Sequence, residues 1–151
     1  EAPAKLSRPI YETVNSGVYR AGFATPQPAS EAAVRTLFTT LDQLDSRLQD
    51  TRYLFGATPV ETDWRLFCTL VRFDAVYHGH FKCNLRRIVD YPNLHGYLRD
   101  LYQAPGIAAT VKARHYVINY WGIPRVNATG IIPQGTPVDY TTPHNRARLA
   151  A

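Results

Sequence analysis

The sequence predicts an all-α fold, a bundle of about five helices followed by an irregular, proline-rich tail. Three observations predict it. Apolar residues recur at three- and four-residue steps over most of the 151 residues. No stretch alternates apolar and polar residues as a half-buried strand would, and no internal repeat suggests a solenoid. With 45% hydrophobic and 19% charged residues the composition is that of an ordinary globular chain. Its length fits one domain, residues 1–151, with a core of its own.

The elements follow in order. Ile10, Val14, Val18 and Ala21 share one helical face over residues 10–24, with Gly17 the weak point of that helix. Thr25-Pro26-Gln27-Pro28 ends it. Ser30 is the expected N-cap of the next and clearest amphipathic helix, which carries Val34, Leu37, Phe38, Leu41, Leu44 and Leu48. After a connection through Gly56, Thr58 and Pro59, residues 61–77 place apolar side chains around most of the helix circumference, so this helix is expected at the centre of the bundle. His78 to Asp90 reads as a mixed, basic connection. Tyr91, Leu94, Tyr97, Leu98, Leu101 and Tyr102 mark a further amphipathic helix that starts near Pro92 or Asn93 and ends before Pro105-Gly106. Gly106 to Trp121 reads as one last helix, with Ile107, Val111, Tyr116 and Ile118 facing inward. Beyond it Pro124, Pro133, Pro137 and Pro143 exclude a long helix, which leaves an ordered wrap or a loose arm.

The net charge is +5, but Lys and Arg are spread along the chain, and only Asn84 to Arg87 approaches a basic cluster. Nucleic-acid binding is therefore not expected, whereas a small anionic ligand suits the charge. No apolar run approaches the roughly 20 residues of a membrane span, and residues 1–12 lack a signal-peptide core. Neither Cys68 nor Cys83 belongs to a CxxC pair, so a reducing, cytoplasmic setting is expected.

Chemistry-bearing residues are few. His78, His80, Cys83 and His95 are metal-ligand types, but without a second close ligand pair they read as structural, and no metal is expected. Lys82 and Arg86 beside Cys83 would favour its thiolate; against that stands the plainer role of a half-buried thiol. Asn127-Ala128-Thr129 fits the glycosylation pattern, but no secretion signal is expected, so the match is read as accidental. No phosphate loop, nucleophile elbow or paired carboxylates occur. Ten tyrosines, in contrast, are many for this length. A phenol offers a flat apolar face and a hydroxyl, which suits a pocket for an oxygen-bearing aromatic ligand, although any single Tyr is more often a core residue.

Several longer stretches are distinctive. Asn15-Ser16-Gly17-Val18-Tyr19-Arg20-Ala21-Gly22-Phe23-Ala24, Thr69-Leu70-Val71-Arg72-Phe73-Asp74-Ala75-Val76-Tyr77 with His80-Phe81-Lys82-Cys83-Asn84, Asp90-Tyr91-Pro92-Asn93-Leu94, and Asn127-Ala128-Thr129-Gly130-Ile131-Ile132-Pro133 occur in that order. Together they resemble the C-terminal helical domain of the glutathionyl-hydroquinone reductases, the Xi class of glutathione transferases. The resemblance implies a glutathione-transferase C-terminal-like bundle and a partner, a thioredoxin-like N-terminal domain, that holds glutathione and a nucleophilic cysteine in a Cys-Pro-Trp-Ala motif. No Cys-Pro dipeptide occurs here, so no catalytic residue is assigned in this chain, and Cys83 matches a cysteine that is not the family's nucleophile. The implied substrate is a small aromatic glutathione conjugate, with glutathione as co-substrate, and a homodimer is expected. The implied substrate-binding residues are Tyr19 and Tyr120, with Tyr116 as the alternative to Tyr120. Two departures stand out. Val60 replaces a capping Thr ahead of Glu61-Thr62-Asp63, and Ala128 replaces a Pro. The competing expectation is a non-catalytic helical binding module of the same fold.

Overall fold

The computed structural model describes residues 3–135 and 138–149. It is all-helical, and the only β-type pairing among the described residues is one isolated bridge between Tyr53 and Gly56. The elements are α1 (Pro3–Ile10), α2 (Gly17–Phe23), α3 (Gln27–Arg47), α4 (Glu61–Arg72), α5 (Leu94–Tyr102), the single turn α6 (Ile107–Thr110) and α7 (Ala113–Trp121), with short 3₁₀ turns at Ile88–Asp90 and Arg146–Leu149.

α1 and α2 are two parts of one rod, joined through a π-turn at Tyr11–Asn15 in which Ser16 N–H donates to the Tyr11 carbonyl at 2.8 Å. The helix thus begins at Pro3, earlier than Ile10, and Pro9 lies inside it. Proline removes one ladder donor and crowds the preceding turn, and the wider π-turn directly after it is where the rod takes up the change. The expected face is retained: Ile10, Val14, Val18 and Ala21 are all buried.

α3 starts three residues before Ser30. Pro26 occupies the cap position in an extended conformation and Pro28 sits in the first turn, where a missing N–H costs nothing. Ser30 is therefore not the cap; its Oγ donates to the Ala21 carbonyl at 3.3 Å and ties α3 to α2. Leu37, Phe38, Leu41, Leu44 and Leu48 are buried as patterned.

α4 continues through a second π-turn, Phe73–Tyr77, closed by His78 N–H on the Phe73 carbonyl at 2.9 Å. At its start Val60 offers no side-chain acceptor, and Thr58 does not replace it. Asp63 caps instead: its Oδ2 accepts from Val60 N–H at 2.8 Å. The N-terminus of α5 is capped from outside its own sequence. Asp45 Oδ1, on α3, accepts from the backbone N–H groups of Asn93 at 2.9 Å and Leu94 at 2.8 Å.

The expected last helix is broken. Val111 and Lys112 leave helical backbone angles, with ψ of 106° and 76°, so α6 and α7 are separate. The β-branched pair Thr110-Val111 marks the break. After it α7 turns Tyr116, Val117 and Tyr120 toward the core and leaves Ile118 exposed, the reverse of the expectation for Ile118.

The described part of the tail is a wrap. Tyr140 Oη donates to the Val71 carbonyl at 3.3 Å, and Gln103 Nε2 donates to the Tyr140 carbonyl at 2.7 Å. Arg146, 1% exposed, donates to the carbonyls of Leu48 at 2.6 Å and Arg52 at 2.8 Å, and to that of Thr51. Pro137 lies outside the described residues. Among the described residues no helix is long and apolar enough to cross a membrane.

Candidate functional site

The site grows out of the ends of the two π-turns. Asn15, the last residue of the first, donates through Nδ2 to the Arg65 carbonyl at 2.9 Å and to Thr69 Oγ1 at 2.6 Å, which fixes the α1–α2 rod against α4. One helical turn on, Tyr19 projects from α2 toward Tyr77, the last residue of the second π-turn. Their hydroxyls lie 3.4 Å apart.

α7 delivers the third phenol. Trp121 Nε1 donates to the Ala75 carbonyl at 3.1 Å and Tyr116 Oη to the Val71 carbonyl at 3.3 Å, so α7 is pinned on the α4 extension at two points. Gly79 makes room for the indole: a Cβ there would stand 3.2 Å from the Trp121 ring. Tyr120 thereby meets both partners. Its Oη is 2.5 Å from that of Tyr19 and accepts from Tyr77 Oη at 3.2 Å. The two sequence-predicted residues, 101 positions apart, are brought together. Tyr116 lines the same cavity, but its hydroxyl is directed to the Val71 carbonyl.

Phe81, fully buried, backs the phenols. Its ring stacks on Tyr77 at 5.5 Å between centroids and meets Tyr19 edge-on at 5.6 Å. Gly22 permits this, since a Cβ there would fall 2.2 Å from Phe81 Cγ. Lys82, with φ of 60°, turns the chain directly after Phe81, a conformation that a non-glycine residue adopts at a cost of about 1–2 kcal/mol. Such a cost is held where the surroundings over-determine it.

A cavity of about 710 Å³ opens against the phenols, walled also by Tyr11, Asn15, Cys68 and Thr69. Its other ionisable side chains are basic types: Arg72, Lys112 and His115. Burial pushes the phenols of Tyr77, Tyr19 and Tyr116 above their ordinary value, and the bond to Tyr120 adds to the rise at Tyr77 and Tyr19. These groups keep their protons at neutral pH and act as hydrogen-bond donors. The arrangement thus joins phenol rings, convergent O–H groups and a basic rim, a fit for an oxygen-bearing aromatic ring with an anionic appendage.

The cysteines and histidines take other places. Cys83 is buried and burial pushes its thiol up to about 12, so the flanking cations do not make it a thiolate. His80 is buried between Phe81 and Trp121. Among the described residues no three His, Cys, Asp or Glu side chains gather as a metal-binding group. Asn127 uses its amide to tie the Trp121 and Ile131 carbonyls at 2.7 and 3.0 Å. Tyr77 is the site residue that sequence patterning does not separate from the core. Its position at the buried end of an apolar helix is that of a packing residue, and no spacing relates it to Tyr19 or Tyr120.

Residues 27–100 match the family described as glutathione S-transferase, C-terminal domain. The glutathionyl-hydroquinone reductase PcpF of Sphingobium chlorophenolicum is 52% identical over 132 residues, 87% of this chain and 42% of that protein. The glutathionyl-hydroquinone reductase YqjG of Escherichia coli is 51% identical over 138 residues, 91% of this chain and 42% of that protein. Among solved structures, the glutathione-bound form of YqjG superposes with a TM-score of 0.93 at 50% identity, covering 95% of this chain and 47% of that one. The Xi class transferase of Natrialba magadii gives 0.95 at 47% identity, covering 97% and 45%. The chain belongs to the glutathione transferase C-terminal domain family, and within it to the Xi class. It spans less than half the length of these relatives.

Proposed function

We propose that this chain is the helical, substrate-binding half of a glutathionyl-hydroquinone reductase, completed by a thioredoxin-like N-terminal domain that holds glutathione and the reactive cysteine. In this proposal the protein works in the cytoplasm and as a homodimer. The cysteine thiolate of the preceding domain attacks the thioether sulfur of the conjugate. The carbon–sulfur bond breaks, the ring carbon takes a proton as the hydroquinone leaves, and the cysteine is left in a mixed disulfide with glutathione. A second glutathione reduces that disulfide, restores the thiol and departs as glutathione disulfide.

This chain's contribution is to seat the ring. Tyr19 and Tyr120 donate to a hydroquinone oxygen, where negative charge grows as the bond to sulfur breaks, while the phenol rings lining the cavity pack against the ring. Donors already aimed at the developing charge need no reorganisation during the reaction. The basic rim of Arg72, Lys112 and His115 suits the carboxylates of the glutathionyl group. One observation carries the proposal: two phenol hydroxyls from α2 and α7 meet within 2.5 Å at the wall of an open cavity.

The test is steady-state turnover of a glutathionyl-hydroquinone by the full-length gene product with glutathione. Tyr19→Phe and Tyr120→Phe are each expected to lower kcat on the order of 10²-fold. Unchanged rates in both variants would reject the hydroxyl roles. A wild-type protein that binds the conjugate without turning it over would favour a binding module.

A further inference from the structure

Tyr77 has no task in the reductase proposal, yet it is the innermost member of the phenol cluster. It is 2% exposed, its ring is clamped between Phe81, stacked at 5.5 Å, and Tyr120, edge-on at 5.5 Å, and its hydroxyl donates to Tyr120 Oη at 3.2 Å. Tyr19 Oη stands 3.4 Å away on the other side.

Each phenol has one proton to give and lone pairs to receive. A hydroxyl that accepts a donated proton turns its own O–H away from that donor. Tyr77, at the cavity wall but only 2% exposed, occupies the inner side of Tyr120 Oη. The Tyr120 proton then faces Tyr19 or, once a ligand oxygen enters, the ligand. Without the Tyr77 hydroxyl, Tyr120 is free to point its O–H back into the cluster, and Tyr19 and Tyr120 are left to satisfy each other.

We infer that Tyr77 is a positioning residue that orients the Tyr120 hydroxyl as an outward donor, and that this cluster of three works as a unit on the oxygen of the aromatic leaving group. The inference rests on the reductase proposal, because it is through Tyr120 that Tyr77 acts.

The experiment is a double-mutant cycle in the full-length protein, with glutathionyl-hydroquinone turnover as the readout. Tyr77→Phe keeps the ring and its packing and removes only the hydroxyl. It is expected to lower kcat about tenfold, the weight of one hydrogen bond acting through a neighbour, with KM within about twofold. In the Tyr120→Phe background the same change is expected to cost less than about twofold, since the group it orients is gone. Reduction of a small glutathione mixed disulfide, which has no phenol to release, is expected to be unchanged by Tyr77→Phe. Equal losses in both backgrounds, a parallel loss with the mixed disulfide, or full activity of Tyr77→Phe overturns the positioning role alone. Absence of conjugate turnover by the wild-type protein overturns the reductase proposal and this inference with it.

Discussion

Asp63 shows how much one side chain holds. It is fully buried, and its oxygens accept from Val60 N–H at 2.8 Å, Leu54 N–H at 2.9 Å and Tyr97 Oη at 2.9 Å. A buried carboxylate is tolerated when its acceptor sites are filled in this way. Burial, together with the nearby Asp63 charge, pushes the Tyr97 phenol well above its ordinary value, so Tyr97 remains a donor. Asp63→Asn keeps the shape but turns at least one donor toward another donor, and is expected to lower unfolding stability by about 1.5–3 kcal/mol in urea titration. Tyr97→Phe, which removes one donor, should cost about 1 kcal/mol. A loss smaller than about 0.5 kcal/mol for Asp63→Asn, the low end for a single hydrogen bond, would contradict this role. The sequence discloses the local half of the arrangement, because Asp63 stands three residues after the cap residue Val60, where a capping carboxylate belongs. Leu54 and Tyr97 are not legible as its partners, since only the folded bundle brings them near.

At the scale of elements, the site depends on two helix irregularities and one close approach. Gly22 on α2 faces Phe81, and an added Cβ would lie 2.2 Å from the ring. Gly22→Ala must displace Phe81, whose ring carries the stack with Tyr77 and the edge contact with Tyr19. The expected cost is about 1–3 kcal/mol of stability by denaturant titration, as for other overpacked sites. Activity of the full-length protein should fall further than the unfolded fraction explains. Activity that tracks the folded fraction would place Phe81 outside the working site. Helix periodicity locates α3, α4 and α5 well because each buries one continuous apolar face. It does not locate the π-turns, which preserve the apolar pattern while shifting the phase of the next helical turns. It also joins α6 to α7, since the turn at Val111 and Lys112 is imposed by docking on the core. Tyr77 escapes for the same reason: a buried tyrosine in an apolar helix looks the same whether or not its hydroxyl meets two others.

The molecule as a whole is closed by polar ties that run far along the chain. Arg52 forms a two-pronged ion pair with Asp100 at 2.8 and 2.9 Å, His144 approaches the same carboxylate at 3.3 Å, and Arg146 caps the carbonyls at the end of α3. The proline content of the tail predicts only that it is not a long helix; that it wraps is a consequence of these partners. Two histidines make the assembly sensitive to acid. Burial lowers the pKa of both His80 and His95 below the ordinary value of 6.5, and neither His80 nitrogen has a hydrogen-bond partner among the described residues. Well above pH 6.5 folded and unfolded chains are both neutral at these sites and stability is unaffected. As pH falls through 6.5 the unfolded chain takes up protons that the folded one resists, so stability declines. The urea midpoint is expected to be lower at about pH 5.5 than at about pH 7.5, and His80→Phe, which keeps a ring between Phe81 and Trp121, should shrink that difference. An equal pH dependence in the variant would assign the acid sensitivity elsewhere.

The most direct test of the phenol-lined seat is a crystal structure of the full-length protein with a hydroquinone bound. A ring oxygen within about 3 Å of both Tyr19 Oη and Tyr120 Oη is the predicted result. A ring lodged elsewhere, with the Tyr19–Tyr120 contact intact, would contradict it.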